Sequence, residues 1–327
     1  LLELMIFMEE LKKKLNLKNK KIWIAGKTGM VGKAILKQLK KKKLNNKFLD
    51  SKNLDLRRQV DVESWMKKNK PNIIFLAAAK VGGIFANDNY PVNFIEDNLL
   101  ISLNVIRSSY LNKIEKLIYL GSSCIYPKNI KHPITEDLIL SGPLEETNQW
   151  YALAKISGMK ICQAYRKQFG CNFITLLPSN LYGPGDNFNT KNSHVPAALI
   201  DRFHFAKKNK NKNVLVWGSG RPLREFLFVD DMAEACIFLA ENYNSAEPIN
   251  VGTGKEISIK DFAKLIKKTV NYNGQICFDK TKPDGVYRKL LNVNKINKLG
   301  WFAKTSVENG LKKYYKWYLD NLDRIRR

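Results

Sequence analysis

Apolar residues along this chain fall into two patterns that alternate from residue 21 onward. The first is a short apolar run, such as Ile-Trp-Ile-Ala at 22–25, and runs of this length favour buried strands. The second repeats apolar residues every three or four positions, as Ala34, Ile35 and Leu39 do within 33–43, and this period favours an amphipathic helix. The pattern therefore predicts a strand, a turn and a helix in succession.

The same alternation continues through the first half of the chain. Further strands are predicted at 72–79, 116–121 and 171–177, and further helices at 98–109 and 150–169. Gly170 follows the last of these helices, where a residue that tolerates left-handed backbone is a typical stop signal. Strands that alternate with helices indicate a parallel sheet with right-handed crossovers. We therefore predict the α/β class with a Rossmann-type doubly wound parallel sheet.

The second half of the chain is richer in turns. Its pattern predicts strands at 214–217 and 227–229 and helices at 195–206, 231–243 and 258–270. The last helix has Ser258 as its expected N-cap and Asp261 in its first turn.

Three parts of the chain are expected on this basis. Residues 1–20 are an N-terminal extension, open to being non-native in part. Residues 21–178 form a dinucleotide-binding domain to which 227–255 returns. Residues 179–226 and 256–327 form a smaller, interleaved α/β substrate-binding domain.

The charge of the chain is strongly positive. Its 327 residues carry a formal net charge of +26, so nucleic-acid binding is one alternative function. The lysines are dispersed along the whole sequence, which favours a solvated lysine-rich surface, so we expect no nucleic-acid partner. A positive field also attracts anionic substrates, and a nucleotide-sugar pyrophosphate is one.

Cysteine usage and hydropathy narrow the class of protein further. The five cysteines show no CxxC spacing, which favours a reduced, cytoplasmic setting over a disulfide framework or a zinc site, so no metal is expected. No apolar run reaches the ~18 residues that suggest a membrane span, so no membrane partner is expected.

A glycine-rich turn, Gly-Lys-Thr-Gly-Met-Val-Gly at 26–32, joins the first strand to the first helix. Such a turn lets the backbone approach a pyrophosphate at the helix N-terminus. Asp50 is expected near the end of the second strand of the sheet, where a carboxylate suits a ribose diol. Lys27, Lys33 and Lys52 instead offer positive charge for a 2′-phosphate. The expected dinucleotide contacts within the turn are Gly26, Thr28, Gly29, Met30, Val31 and Gly32.

A second group of polar residues combines a strand end with a helix. Gly-Ser-Ser-Cys at 121–124 follows an apolar run, and Tyr151 and Lys155 lie four residues apart, on one helical face. A phenol titrates near ~10, and a neighbouring ammonium is expected to lower that pKa. Ser122 is then placed to bind a reacting carbonyl oxygen, and Lys155 to bind a nicotinamide ribose.

The glycine turn, the Ser122 segment and the Tyr151/Lys155 pair together resemble the extended short-chain dehydrogenase/reductase family. The resemblance covers about residues 20–325 and is closest to the branch that acts on GDP-linked sugars. It implies NADP-dependent epimerisation at C3 and C5 and reduction at C4 of GDP-4-dehydro-6-deoxy-D-mannose to GDP-L-fucose, by a homodimer. The segments that carry it are 76–83, 121–127, 178–184, 192–195, 217–220 and 222–227.

The resemblance also implies roles for individual residues. Cys124 and His194 carry protons at C3 and C5, since thiol and imidazole groups titrate near neutral pH, and Tyr151 protonates the C4 oxygen. The implied substrate contacts are Arg202, Trp217, Arg224 and Asp284. The further implied cofactor contacts are Asp55, Leu120, Gly121, Ser122, Ser123, Lys155, Pro178, Ser179, Asn180, Leu181 and His194.

Departures from the family pattern leave alternatives open. Thr28 and Ser51 stand where the family carries arginines that hold the 2′-phosphate of NADP, so NAD stays an alternative cofactor. A C4 epimerase or a 4,6-dehydratase with retained NAD is a second enzymatic hypothesis, although dehydratases place an acidic pair where this chain has Ser123 and Cys124. A basic nucleic-acid-binding protein on a Rossmann scaffold is the non-enzymatic alternative.

Overall fold

A computed structural model describes residues 14–189, 193–282 and 284–325 of the chain. Residues 1–13 of the predicted N-terminal extension lie outside this part. Within 14–20, Leu17 is buried in the main core, and the backbone N–H of Leu15 donates to the carbonyl oxygen of Glu241. This stretch is therefore packed onto the fold, and the division into domains stays a prediction.

The centre of the fold is a sheet of six parallel strands. Their bounds are β1 (Lys21–Ala25), β2 (Lys47–Leu49), β3 (Ile73–Leu76), β4 (Lys116–Leu120), β5 (Phe173–Pro178) and β10 (Ile249–Val251). Their order across the sheet is β10-β5-β4-β3-β1-β2. Every residue of β3, β4 and β5 is buried, as in a sheet covered on both faces. The predicted class and parallel sheet are confirmed.

Two groups of helices cover this sheet, one pairing α1 with α7 and the other joining α2, α4 and α5. Close approach in the second group depends on Gly158, because a Cβ there would collide with the hydroxyl of Tyr119. Of the apolar face expected on α5, Ile156 and Met159 are buried in the chain's own core, whereas Leu153 is exposed. The helix bounds are α1 (Met30–Lys41), α2 (Gln59–Asn69), α3 (Ile84–Asn89), α4 (Pro91–Leu111), α5 (Gln149–Phe169) and α7 (Val229–Asn242).

A second core is built from smaller sheets and three helices, around Tyr182, Phe226, Phe262 and Tyr314. The strands are β6 (Asn180–Tyr182), β7 (Asn213–Trp217), β8 (Leu223–Arg224), β9 (Phe226–Phe228), β11 (Ile257–Ser258), β12 (Gln275–Asp279) and β13 (Arg288–Lys289). Strand pairs β6–β9 and β7–β12 are parallel, and β8 lies between β11 and β13. The helices are α6 (Val195–Lys208), α8 (Ile259–Val270) and α10 (Val307–Asp320), whereas α9 (Asn294–Lys298) packs on the main core through Ile296.

Most differences from the sequence prediction concern the ends of elements. The helix expected at 98–109 begins earlier, at Pro91. Its full length was not predicted because buried polar residues such as Asn98 and Ser102 interrupt its apolar pattern. The predicted cap is confirmed, since the Ser258 hydroxyl accepts from the N–H of Asp261 at 3.0 Å. The apolar pattern does not predict α2, α3, α9, α10 or β12, which are short or largely polar on one side.

Candidate active site

The glycine turn lies directly against the end of β3. Gly26 has φ +92°, and a Cβ there would lie 2.7 Å from the backbone nitrogen of Ala78. A Cβ at Gly32 would collide with the carbonyl oxygen of Gly26. Both positions therefore need glycine for the turn to close.

The first turn of α1 offers backbone N–H donors that have no acceptor within the helix. Gly29 is the N-cap, makes no side-chain capping bond, and the first turn carries no acidic residue. The N–H groups of Met30, Val31 and Gly32 are among those that a helix cannot satisfy internally, and the helix dipole adds positive potential there. This arrangement fits the pyrophosphate of a dinucleotide.

A cavity of about 490 Å³ opens beside this turn. It is lined by three residues that the sequence analysis singled out, Gly26, Thr28 and Gly29, and by Asp55. Other lining residues were not assigned, although four of them, Ala77, Ala78, Ala79 and Lys80, lie in the segment 76–83. The others are Leu54, Leu56, Arg57, Asp97 and Ile101.

Asp55 is held in the wall of this cavity by Arg57. The guanidinium donates to both carboxylate oxygens, at 2.9 Å from Nε and 2.8 Å from Nη2. These bonds lower the pKa of Asp55 to about 2. Arg57 also donates to Asp97 at 3.2 Å, and Lys80 donates to the same carboxylate at 3.1 Å. Asp55 lies where it was predicted, as a charged group already bound by an arginine.

Ser122, Cys124 and Tyr151 meet at the carboxyl end of β4. Ser122 precedes a 3₁₀ helix, Ser123–Ile125, and its hydroxyl accepts from the N–H of Cys124 at 3.1 Å. Tyr151 lies close to both residues: burial has the largest effect and raises its pKa, Cys124 raises it further, and Ser122 lowers it. The structure thus brings these three predicted residues together.

Lys155 is buried below Tyr151, at 3 % exposure. Its Nζ donates to the carbonyl oxygen of Leu120 at 2.8 Å and lies 5.0 Å from the ring centre of Tyr119 and 5.8 Å from that of Tyr151. Burial lowers the pKa of Lys155 to about 8.

The expected effect of Lys155 on Tyr151 is wrong for the protein alone. Burial is the largest influence on the phenol and raises its pKa, and the lysine does not reverse this. Phe94, which the sequence analysis did not assign, packs edge-on to Tyr151 with 6.5 Å between ring centres. An apolar wall of this kind adds to the desolvation that keeps the phenol protonated.

The end of β5 supplies the backbone beside this group. Pro178 is opposite Val251 in the sheet, and the N–H of Ser179 donates to the carbonyl oxygen of Val251. Ser179 is buried, and its Oγ has no hydrogen-bond partner within the described part of the chain. A buried polar atom of this kind points to a missing partner, which fits a cofactor at this edge. Asn180 donates instead to the carbonyl oxygen of Glu225 at 2.9 Å.

Glu225 is a further positioning residue that sequence reasoning missed, although it lies in the quoted segment 222–227. It is fully buried, and burial raises its pKa. Its carboxylate accepts from the N–H groups of Gly254 at 2.8 Å and Leu291 at 2.9 Å. It therefore fixes the backbone beside Arg224 to both cores.

Arg224 is a partly buried cation close to the catalytic group. It donates to the carbonyl oxygens of Leu223 at 2.8 Å and Asp284 at 3.4 Å. Burial lowers its pKa, while the charges of Asp284 and Cys124 raise it. The guanidinium is therefore within electrostatic reach of Cys124.

The carboxylate of Asp284, an implied substrate contact, is already bound within the chain. Both of its oxygens accept from Ser219, at 2.6 Å from the N–H and 2.7 Å from the hydroxyl. Asp284 thereby holds the turn that follows Trp217. Arg202 lies over the Trp217 ring at 4.7 Å, and half of the Trp217 surface is exposed.

His194 is the N-cap of α6 and is exposed. Just before it, the carbonyl oxygen of Ser193 would lie 2.8 Å from a Cβ at Gly83, so the loop after β3 meets the start of α6. The pairing of His194 with Cys124 stays a prediction. Asn192 of the same quoted segment lies outside the described residues.

The described ranges contain neither a metal-binding cluster nor a helix able to span a membrane. No group of three or more His, Cys, Asp or Glu residues there is arranged to hold a metal ion. No helix among them combines the length and apolar character that crossing a membrane requires.

Residues 22–252 match the model of the NAD dependent epimerase/dehydratase family. A putative GDP-L-fucose synthase 2 of Arabidopsis thaliana is 52% identical over 306 residues, which cover 93% of each chain. GDP-L-fucose synthase of Escherichia coli K12 is 45% identical over 94% of this chain and 98% of its own. A Naegleria fowleri GDP-L-fucose synthetase bound to NADP has a TM-score of 0.90 at 33% identity, over 97% of this chain and 98% of its own.

Proposed function

Because the chain belongs to the NAD dependent epimerase/dehydratase family, and within it to the GDP-L-fucose synthases, we propose that it makes GDP-L-fucose. The reaction epimerises GDP-4-dehydro-6-deoxy-D-mannose at C3 and C5 and reduces C4. The family resemblance predicted from the motifs is confirmed by these matches. NADPH, when bound, supplies the hydride equivalent for C4, and the glycine turn, the first turn of α1 and the Ser179 region would hold it.

The observation that carries this proposal is that a thiol-bearing turn lies beside a half-buried tyrosine and a buried lysine. Ser122 and Cys124 both lie close enough to Tyr151 to shift its pKa, and Cys124 also influences the pKa of Arg224. A C4 oxidation or reduction needs only a proton donor at the carbonyl oxygen. Inversion beside that carbonyl also needs groups that move C–H protons, and a cysteine at this place supplies one.

Tyr151 is suited to act as the acid of the reduction. Burial raises its pKa, so the phenol carries its proton at neutral pH and can give it to the C4 oxygen. Ser122 lies beside the phenol, and its hydroxyl can also hold that oxygen. Lys155 keeps a cation beneath the ring, which stabilises the phenolate left after the proton has moved.

Cys124 and His194 are proposed as the proton carriers at C3 and C5. Each inversion removes a proton from one face of the carbon and returns one to the other, with the negative charge held on the C4 oxygen in between. Thiol and imidazole groups suit this exchange near neutral pH. The Cys124 side is supported by its closeness to Tyr151; the His194 side rests on the resemblance.

The substrate side is proposed to bind the GDP group. Arg224 is a partly buried guanidinium whose described bonds go to carbonyl oxygens, so its charge is left for a pyrophosphate. Trp217, flanked by Arg202, offers an exposed ring face.

The test of the activity uses purified protein, the dehydro sugar nucleotide and NADPH. We expect NADPH oxidation and GDP-L-fucose as product. Absence of both in a folded sample would overturn the proposal, and a tightly retained NAD with C4 epimerase activity would favour the alternative enzyme.

Two variants separate the proposed roles. Tyr151→Phe should lower the rate of reduction by about 10²–10⁴-fold, the usual contribution of a general acid, while solvent deuterium still enters C3 or C5. Cys124→Ser should suppress deuterium uptake far more than Tyr151→Phe does. Equal loss of exchange in both variants would contradict the division of roles.

We further propose a homodimer in a cytoplasmic location. Leu103 on α4 and Leu153 on α5 are large apolar side chains that are exposed in the single chain, which supports a covered helical face. Light scattering that gives the monomer mass of 37.6 kDa at micromolar concentration would exclude the dimer.

The proposed cytoplasmic location has separate support. All five cysteines are free thiols, which supports a reducing compartment.

A further inference from the structure

An ion pair stands at the end of β2, beside the proposed cofactor site. Lys27 of the glycine turn lies 2.6 Å from Oδ1 of Asp50, and the N–H of Lys52 donates to the same oxygen at 2.9 Å. These bonds lower the pKa of Asp50, so its carboxylate stays charged. Both bonds described for this carboxylate go to Oδ1, which leaves Oδ2 as an acceptor.

The strand end that carries this pair is held in place by two tryptophans. Nε1 of Trp65 donates to the carbonyl oxygen of Asp50 at 3.2 Å, and Nε1 of Trp23 donates to Oγ of Ser51 at 2.9 Å. Because the Ser51 oxygen accepts this bond, its own O–H remains available as a donor. The geometry of the strand end is therefore set without the ion pair.

Space for a ligand adjoins the pair. A cavity of about 310 Å³ is lined by Lys27 and Asp50, by Lys40, and by apolar residues of β1, β2 and α1. Lys33, another lysine considered for the 2′-phosphate, lies elsewhere, with its Cδ 3.5 Å from the position of a Cβ at Gly185. Lys27 is therefore the lysine of the glycine turn that reaches the end of β2.

The two members of the pair suit different cofactors. A carboxylate at the end of the second strand accepts bonds from an adenosine ribose diol, as NAD requires, and repels a 2′-phosphate. A lysine at the same place attracts that phosphate. Asp50 is two-thirds exposed, and exposed ion pairs contribute little to stability, so Lys27 can leave Asp50 at small cost.

We propose that the Lys27–Asp50 pair sets the cofactor preference of this chain and lets it accept NADH as well as NADPH. With NADH, Lys27 stays on Asp50 and Oδ2 binds the ribose diol. With NADPH, Lys27 moves to the 2′-phosphate, and the Ser51 hydroxyl adds a second donor. This inference rests on the proposed function, since it concerns the same dinucleotide site.

The test is fluorescence titration of NADPH and NADH against the full-length protein and three variants. Lys27→Met should raise the Kd for NADPH about tenfold or more, the effect of one charge-assisted hydrogen bond, and change that for NADH less than about threefold. Asp50→Asn should do the reverse, weakening NADH and tightening NADPH. Lys37→Met is the matched control, since Lys37, on the helix that follows the glycine turn, also forms an ion pair, with Asp230 at 2.8 Å, and it should shift neither Kd.

Each outcome has a defined meaning, provided that the variants melt at the wild-type temperature. A changed NADPH/NADH ratio in the first two variants and not in the control supports the inference. An unchanged ratio, or the same change in Lys37→Met, overturns it and leaves the proposed function intact. Failure of the wild-type protein to bind either dinucleotide would overturn the proposed function itself.

Discussion

The two sides of the proposed active site are built from different materials. On the cofactor side, the described groups that fit the pyrophosphate are main-chain N–H groups and glycines, as in Gly26, Gly32 and the first turn of α1. On the substrate side, they are long side chains held by other groups, as Asp284 holds the Ser219 turn and carbonyl oxygens hold Arg224.

This difference determines what each side tolerates. A pyrophosphate site made of backbone keeps its chemistry through side-chain changes that leave the turn closed, and loses it when a Cβ opens the turn. A site made of side chains loses affinity in smaller steps, because each substitution removes only the hydrogen bonds of one side chain. Substitutions on the two sides should therefore affect different measurements and differ in size.

The largest effect is expected from Gly32→Ala. The new Cβ would collide with the Gly26 carbonyl oxygen, so the turn must shift, and displacement of a binding backbone by about 1 Å costs on the order of 100-fold in affinity. NADPH titration should show this loss, with a decrease of roughly 1–3 kcal/mol in the free energy of unfolding.

Gly170→Ala is the control for this substitution. Gly170 also has a positive φ, +68°, but nothing lies within 4 Å of its Cβ position. It should cost about 1 kcal/mol through backbone strain and leave NADPH binding unchanged. Equal loss of affinity in both variants would break the comparison, because strain alone would then explain the first.

An intermediate effect is expected on the substrate side. Asp284→Ala removes two bonds to Ser219, and bonds to a charged group contribute about 1.5–3 kcal/mol. We expect the KM for the sugar nucleotide to rise about tenfold with the Kd for NADPH unchanged. Steady-state kinetics and the NADPH titration together check this.

Asp284→Asn sharpens the same prediction. An amide keeps one acceptor for the Ser219 N–H and gives a donor to its hydroxyl, so most of the KM should be restored. An Asn variant as impaired as the Ala variant would show that the carboxylate contacts the substrate directly, as the sequence first indicated.

The smallest effect is expected at Lys116, at the opposite end of β4 from both sides of the site. Its buried Nζ donates to the carbonyl oxygen of Tyr243, and burial lowers its pKa from 10.5 to about 7. Between these values the unfolded chain binds more protons than the folded one, so wild-type stability rises with pH. Lys116→Met should be more stable by about 1–2 kcal/mol at pH 7, and the gain should shrink towards pH 10.

Urea unfolding at both pH values measures this difference. Lys21→Met is the control, because Lys21 also begins a strand but is exposed. A stability difference for Lys116→Met that does not change with pH would show that packing, and not the buried charge, is responsible.

The backbone-built side was the easier one to predict from sequence. A glycine needed by a tight turn, and the apolar run and helical period around it, are visible in order along the chain. Hence β1, the turn and α1 were placed with an error of a few residues, as were β4 and α5, which carry Ser122 and Tyr151.

The side-chain-built side was predicted only through resemblance. Arg224 and Asp284 are distant in sequence, and no local pattern shows that Asp284 binds Ser219. Likewise, nothing local shows that burial, and not Lys155, dominates the pKa of Tyr151, or that Glu225 fixes the backbone beside Arg224. These facts depend on which distant segments meet, which a single sequence does not encode in any short window.

The pairing of β10 with β5 has a consequence for how the chain is made. Leu176 is opposite Ile249 in the sheet. During synthesis, the outer edge of β5 therefore stays unpaired until the whole segment 179–248 has left the ribosome. At about 5–20 residues per second this lasts several seconds, during which an apolar strand edge is open to other nascent chains. A ribosome that stalls within this segment would release a product unable to close its own sheet.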